Sequence, residues 1–282
     1  MEELLLQFTE KLRLEEKSAN TIAKYARDVK KFLEFASDEN GEDVFLNTID
    51  KGLCIQYKNK LSEDYEATSV NSMLVSLNRF LELMDMRECM VKGLKIQKAV
   101  YQLEEKNLTK EEYRKMVECA LKREDYRLAY ILETICATGI RIGELQHITV
   151  KSIKNGRAEV DCKGKIRTVF LPHKLKIKLR KYINDNQIHQ GSVFQTTGGK
   201  PIDRSNLCKS MKKLAGFAGV LLSKVFPHNL RHLFAVSYYN VHRDIVKLAD
   251  LLGHASVNTT RIYTMTSGVE HEQQINKLDL II

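Results

Sequence analysis

The sequence predicts a mainly α protein with a small β-sheet, in which a helical N-terminal domain precedes a mixed α+β domain. Three observations lead there. Apolar residues over roughly the first 85 positions recur three and four apart, the period of an amphipathic helix. After Thr109, helical stretches surround a short block, Ile148 to Leu171, where turn signals separate brief apolar runs. Between the two lies a basic, weakly patterned stretch that includes Lys92, Lys95 and Lys98. A chain of 282 residues has room for two domains of ordinary size. The expected division is 1–86, a linker over 87–107, and 108–282.

In the first domain, Leu4, Leu5, Phe8 and Leu12 mark one helix. Ser18 can cap a second, whose stripe is Ile22, Tyr25, Val29, Phe32 and Leu33. Thr48 is expected to open a third, past Leu53 and Tyr57 to Leu61. Thr68 is expected to open a fourth, with Val70, Leu74, Leu77, Phe80 and Leu81 inward. Four such helices make a small bundle. In the second domain, Thr109 and Glu112 have the spacing of a capping box. Tyr126 to Ala137 reads as a helix that Gly139 stops. Asn155-Gly156 reads as a hairpin turn between Ile148–Ile153 and Arg157–Cys162. Lys163-Gly164-Lys165 reads as a second tight turn before a strand that Pro172 ends. Helices follow over Lys174–Asn186, Arg204–Leu214, Pro227–Tyr239, Arg243–Leu252 and near Thr260.

Charge is unevenly placed. Residues 1–100 carry 15 basic and 18 acidic residues, and the remainder 30 and 18. Residues 151–181 alone hold eleven cations against two acids, a density that points to a polyanion, nucleic acid first. No run approaches the roughly 20 apolar residues of a membrane span. The N-terminus lacks the basic flank and cleavage site of a signal peptide, so a cytoplasmic protein with no membrane partner is expected. The six cysteines, Cys54, Cys89, Cys119, Cys136, Cys162 and Cys208, form no local metal-binding pair and read as reduced.

Several residues could carry chemistry. His228 and Arg231 lie three apart near the start of a helix that Pro227 opens, where free N–H groups and the helix dipole favour an anion. Alone, this describes an ordinary capped helix as well. His228 and His232 have metal-ligand spacing, but Arg231 between them and the lack of a nearby carboxylate argue against a cation. No metal and no cofactor is expected. Arg141 follows a turn and could grip phosphate oxygens in pairs. Lys165 sits at a hairpin tip, Gly253-His254 ends a helix, and Tyr263 lies nine residues further on. Taken singly, each has a commoner role: a solvated arginine, a turn lysine, a half-buried tyrosine. Spacing does not bring them together.

Resemblance does. Ala137-Thr138-Gly139-Ile140-Arg141-Ile142-Gly143-Glu144-Leu145 resembles the first arginine box of the tyrosine recombinases, the phage integrase family. Pro227-His228-Asn229-Leu230-Arg231-His232-Leu233-Phe234-Ala235 is similar to their His-x-x-Arg box. Leu251-Leu252-Gly253-His254 followed by Thr259-Thr260-Arg261-Ile262-Tyr263 resembles their last box. Lys163-Gly164-Lys165-Ile166-Arg167 lies where the family's lysine hairpin belongs, and Ser18-Ala19-Asn20-Thr21 to Phe35 resembles the start of its SAM-like core-binding domain. Gly143 stands where the family often has serine or another small residue.

The resemblance implies a helical core-binding domain and a catalytic domain, with a C-terminal tail, clamped on double-stranded DNA. It makes Tyr263 the nucleophile that forms a 3′-phosphotyrosyl link. Arg141 and Arg231 would hold the non-bridging oxygens, and His254 would bond one of them. His228 would assist proton transfer at the nucleophile. Lys163 and Lys165 compete as the acid for the leaving 5′-oxygen, and the Lys-x-Arg pattern favours Lys165. Lys17, Lys24, Arg27, Arg79 and Lys163 are candidate DNA contacts; the acidic N-terminal domain must gather its cations on one face. With no further domain ahead of the core-binding helices, the chain resembles the compact Xer-like branch. The apolar end, Leu278, Leu280, Ile281 and Ile282, either folds back onto its own catalytic domain or, as the resemblance implies, docks on a neighbouring protomer, giving a homotetramer or paired dimers on synapsed DNA. A host resolvase and the integrase of a phage or other mobile element fit equally, and accessory proteins are not implied either way. Two rivals are a type IB topoisomerase-like enzyme and a DNA-binding protein that does not cleave. A covalent adduct on nicked DNA would exclude the second, and exchange of partners the first.

Overall fold

The structure is a computed structural model that describes residues 1–40, 45–96, 107–162, 165–196, 198–200, 202–263 and 276–277. The chain divides into two compact units, Met1–Lys98 and Ala99–Ile282. Each has its own apolar core.

The first unit holds α1 (Glu2–Leu14), α2 (Ala19–Asn40), α3 (Lys51–Asp64) and α4 (Ala67–Leu83). Their helical stripes meet in one cluster: Phe8 and Leu12, Val29, Phe32 and Leu33, Tyr57 and Leu61, then Leu74, Leu77, Phe80 and Leu81. Phe8 and Phe80 meet edge to face with centroids 5.4 Å apart, a favoured aromatic geometry. Thr48 does not open α3. It closes a 3₁₀ turn, Leu46–Thr48, and Asp50 caps the helix by accepting from the Leu53 N–H at 2.7 Å. A carboxylate accepts more strongly than a hydroxyl, and it sits two residues nearer the apolar stripe. Helix α4 starts one residue before Thr68.

The stretch expected as a linker from Arg87 onward belongs in its first half to this unit. Asn78 donates to the Val91 carbonyl and accepts from its N–H, at 2.8 and 2.9 Å. Asn71 does the same for Leu94, at 2.9 and 2.6 Å. A carboxamide carries one acceptor and a donor pair, so it can satisfy a peptide unit as a strand would. Cys89 and Val91 are buried alongside.

The second unit opens with α5 (Lys110–Lys122), whose N-terminus is the capping box: Thr109 and Glu112 accept each other's N–H at 3.1 and 2.9 Å. Then follow α6 (Tyr126–Thr138), a 3₁₀ helix Ile142–His147, α7 (Val150–Asn155), β1 (Arg157–Cys162) and β2 (Lys165–Phe170). Helices α8 (His173–Asp185), α9 (Arg204–Ala218), α10 (Pro227–His242), α11 (Ile245–Leu252) and α12 (Val257–Thr260) complete it, with a last 3₁₀ turn at Arg261–Tyr263. The expectation of a hairpin at Asn155-Gly156 is overturned. Thr149 and Ser152 cap each other, so Val150–Asn155 coils, and Gly156 is its left-handed C-cap. Asn-Gly serves a helix end as readily as a hairpin, because both need positive φ. The strand Arg157–Cys162 pairs instead with β2, antiparallel, from Arg157 opposite Phe170 to Cys162 opposite Lys165. The main core, including Met116, Ile131, Leu132, Ile135, Leu179, Phe194, Met211 and Leu230, lies behind this sheet and the long helices. A smaller cluster of Ala235, Leu248, Leu252 and Tyr263 packs α10 to α11 and the last turn.

Candidate active site

Helix α10 starts with Pro227 at its first position, where the missing N–H costs nothing. One turn on, Arg231 is 3% exposed. Its guanidinium donates to the Gly139 carbonyl at 2.5 Å and the Leu252 carbonyl at 2.7 Å, and lies 3.1 Å from His254 Nε2. Both carbonyls belong to helix C-termini, of α6 and α11, where the dipole favours a cation. Burial, and then the nearby Arg141 charge, lower the Arg231 pKa to about 10. It therefore stays charged at neutral pH.

Gly139 makes this possible. Its φ is +64°, and a Cβ there would sit 2.4 Å from the Phe234 ring. The tight left-handed exit sends the chain straight to Arg141. The Arg141 guanidinium donates to Glu144 Oε1 at 2.9 Å and toward the Gly253 carbonyl at 3.4 Å, and its backbone N–H donates to Glu144 Oε2 at 2.8 Å. Glu144 is 5% exposed and takes a second cation, Arg167 of β2, at 2.5 Å. Burial raises the Glu144 carboxyl, but the Arg141 N–H and the two guanidiniums outweigh it and hold the group below the ordinary carboxylate range.

The last turns carry the remaining groups. Gly253 caps α11 with φ +63°. His254 follows, its Nδ1 2.8 Å from Thr260 Oγ1. The Tyr263 ring stacks beside it, centroids 6.1 Å apart at 17°, with His232 on another side at 5.1 Å. Tyr263 is 3% exposed. Burial raises its pKa, while Arg231 and Arg141 oppose the rise. His228 is exposed, yet partial desolvation and then Arg231 and Arg141 lower its pKa.

His232 and His254 are both lowered to about 4 by burial first; His228 adds to the effect on His232, and Arg231, Arg141, Arg167 and His228 to that on His254. In the folded protein they are neutral at pH 7 and take up protons only near pH 4. The unfolded chain takes them up near the ordinary 6.5. Stability is therefore expected to fall as pH drops from about 6.5 toward 4, by at most about 1.4 kcal/mol per pH unit for each such proton. His232, 7% exposed with Nε2 unpartnered among the described residues, is the more buried of the two. His232→Phe should flatten the decline. Thermal melting of both proteins from pH 7 to 5 checks this, and a flat wild-type profile would count against it.

Of the expected set, Arg141, His228, Arg231, His254 and Tyr263 come together in the second unit. Lys163 lies outside the described residues, as does the side chain of Lys165, whose backbone begins β2. Residues 278–282 also lie outside them. Lys17 is 3.7 Å from Glu15, and Arg27, with a side chain 69% exposed, is 3.7 Å from Asp28. Lys24 and Arg79 are committed within the first unit. Lys24 bridges Asp28, Ser76 and the Ser72 carbonyl. Arg79 joins Glu15 and Glu82. Glu144, Arg167 and Thr260 also reach the site, with no role expected of them from sequence. The signal for Glu144 was present: a carboxylate three residues after an arginine at a 3₁₀ or helical start pairs with it. Arg167 and Thr260 depend on tertiary contacts and left no such signal. Among the described residues no cluster of His, Cys, Asp and Glu suits a metal ion.

A phosphodiester brought to this cluster would meet two guanidiniums, a neutral imidazole and a tyrosine hydroxyl. Comparisons with known proteins bear on the family and the fold. Residues 106–268 match the phage integrase family, and residues 5–85 match the phage integrase N-terminal SAM-like domain. Tyrosine recombinase XerA of Pyrococcus furiosus is 27% identical, with 99% of this chain and 95% of that protein covered. Among solved structures, a XerH site-specific recombinase bound to a palindromic difH substrate, a post-cleavage complex, is 24% identical with a TM-score of 0.72 over 91% of this chain and 79% of that one. A lambda integrase tetramer bound to a Holliday junction is 17% identical with a TM-score of 0.72 over 93% and 76%.

Proposed function

This chain belongs to the phage integrase family and is a site-specific tyrosine recombinase, and from that premise we propose how its residues divide the chemistry. The observation that carries the proposal is the convergence of Arg141, Arg231, His254 and Tyr263 in one cluster of the second unit. Tyr263 Oη attacks a DNA phosphorus. The Oη–P bond forms, the P–O5′ bond breaks, and the strand is held as a 3′-phosphotyrosyl ester. The tyrosine proton passes toward His228, and Lys165 gives a proton to the departing O5′. Arg141 and Arg231 hold the two non-bridging oxygens and offset the charge that gathers in the transition state. His254 Nε2 accepts from Arg231 before substrate binds; with the phosphate in place it exchanges that contact for one of those oxygens and donates to it, Thr260 then donating to Nδ1. Fixed guanidiniums here take the part that metal ions play in many phosphoryl transfers. The ester keeps the energy of the broken bond, so a 5′-hydroxyl from another strand can attack it and rejoin DNA without ATP. Cleavage of a duplex nicked beside the scissile phosphate tests this directly. The short strand diffuses away, and the protein should remain on the DNA through SDS.

The second unit and the exposed Lys17 and Arg27 of the first supply the phosphate contacts we assign to binding. Among the described residues no helix is long and apolar enough to cross a membrane. We place the reaction in the cytoplasm, with duplex DNA as partner and no cofactor.

Exchange between two duplexes needs four active sites, and the lambda integrase neighbour is a tetramer on a Holliday junction. We propose that this chain assembles likewise, with Leu278, Leu280, Ile281 and Ile282 docking on the next protomer. Clustered large apolar side chains are poorly suited to water. Changing Leu278, Leu280 and Ile281 together to Ser should leave single half-site binding intact and remove cooperative filling of the paired site. Gel-shift titration on one and two half-sites, with melting as a folding control, reads this. Unchanged cooperativity in a stable variant would rule the docking out.

A further inference from the structure

Arg167 lies two positions after Lys165 on β2, and the mechanism above leaves it without a task. Its surroundings are unusual for a strand arginine. The side chain is 10% exposed. One arm donates to Glu144 at 2.5 Å, and the other to the Leu251 carbonyl at 2.7 Å. Its Nε is buried and has no partner among the described residues. The aliphatic part presses on Gly253, where a Cβ would come within 2.4 Å of Arg167 Cδ. One side chain thus ties the lysine strand to two other pieces of the site: the Arg141 segment through Glu144, and the turn that presents His254.

The β1–β2 hairpin buries Ala158, Val160 and Val169 in the main core and packs β1 on the Ile142–His147 turn; to that non-directional packing Arg167 adds directional side-chain hydrogen bonds. The hairpin is a two-stranded sheet, and an isolated hairpin is marginal in water and gains its position from what it packs on. Burying a guanidinium with one nitrogen unpartnered is costly. A plain surface anchor would not require it. A buried, two-armed charge-assisted link fixes both distance and direction.

We infer that Arg167 is a positioning residue: it fixes the strand that begins at Lys165 against the Arg141–Glu144 pair, and so sets where the general acid stands. This rests on the reading of Lys165 as the acid. Its signature is a defect in leaving-group protonation without a defect in phosphate gripping.

The test uses the full chain and two nicked duplexes, one with the ordinary 5′-bridging oxygen and one with sulfur there. Thiolate leaves without a proton. Lys165→Ala, Arg167→Gln and wild type are compared in single-turnover cleavage, with half-site affinity and melting measured alongside. Arg167→Gln should cleave the oxygen substrate about 10- to 100-fold more slowly and the sulfur substrate within about threefold of wild type, with half-site affinity unchanged. Equal slowing on both substrates, or no slowing on either, would overturn the inference. If Lys165→Ala itself shows no sulfur rescue, the acid assignment fails, and Arg167 falls with it. Rescue of Lys165→Ala but not of Arg167→Gln overturns the positioning role alone. Should Arg167→Gln fail to fold, Arg167→Lys takes its place. It keeps a cation beside Glu144 but loses the second arm, and should show a smaller loss with the same recovery on sulfur.

Discussion

Tyr263→Phe is expected to bind its DNA site as wild type does and to form no covalent adduct, a loss of at least ~10³-fold because the hydroxyl assigned to attack is gone. The structure makes this a clean change. The tyrosine ring is buried among Ala235, Leu248 and Leu252 and stacks on His254, and phenylalanine keeps that ring. What goes is the hydroxyl and its interaction with Arg231. Folding should therefore change by no more than about 1 kcal/mol, the usual net worth of one hydrogen bond. Adduct yield on a nicked duplex, half-site affinity and melting temperature together decide. A variant that still forms adduct at the wild-type rate would remove Tyr263 from the reaction.

Arg231→Lys should be nearly as damaging, and in a different way. The guanidinium meets Gly139, Leu252 and His254 at once, and the proposed mechanism gives it an oxygen of the phosphate as well. An ammonium is a single point charge without that planar fork. Cleavage should fall about 10²- to 10⁴-fold, in the range seen when one transition-state donor is lost. Sulfur at the 5′-bridging position should not restore it, because oxyanion stabilisation and not protonation is missing. Stability should fall too, by about 1–3 kcal/mol for each buried carbonyl left without a donor. Single-turnover rates on both substrates, read with thermal melting, check this. Recovery on the sulfur substrate would place Arg231 with the leaving group instead.

Much of this site was legible in the sequence because its parts are local signals. Pro227 announces the start of α10, Gly139 the end of α6, and Leu252-Gly253-His254 the end of α11; each places one functional residue just beside a helix terminus. Periodicity located the bundle helices for the same reason: apolar stripes are a property of neighbours three and four apart. What escaped was tertiary or ambiguous. Asn155-Gly156 satisfies a hairpin and a helix cap alike, and only the Thr149–Ser152 reciprocal cap decides between them. The segment after Arg87 looked like a linker because its attachment is made by two asparagine side chains of α4, and amide pairing leaves no hydropathy pattern. Arg167 and Glu144 are 23 residues apart. Nothing in either stretch tells that their charges meet in the interior. Lys24 and Arg79, candidate DNA contacts by sequence, pair with acids of their own unit, and that pairing is equally invisible in sequence.

The two glycines at the ends of α6 and α11 lend the site their backbones. The Gly139 carbonyl receives Arg231 and the Gly253 carbonyl faces Arg141, while at each position a methyl group would collide with a packed side chain, Phe234 in one case and Arg167 in the other. Heredity would see them as it sees the nucleophile. Under random mutagenesis and selection for strand exchange, Gly139 and Gly253 should tolerate as few replacements as Tyr263, although neither has a side chain that could touch DNA. Intolerance at a position thus measures how much of the pocket hangs on it, and here two residues without chemistry rank among those that perform it.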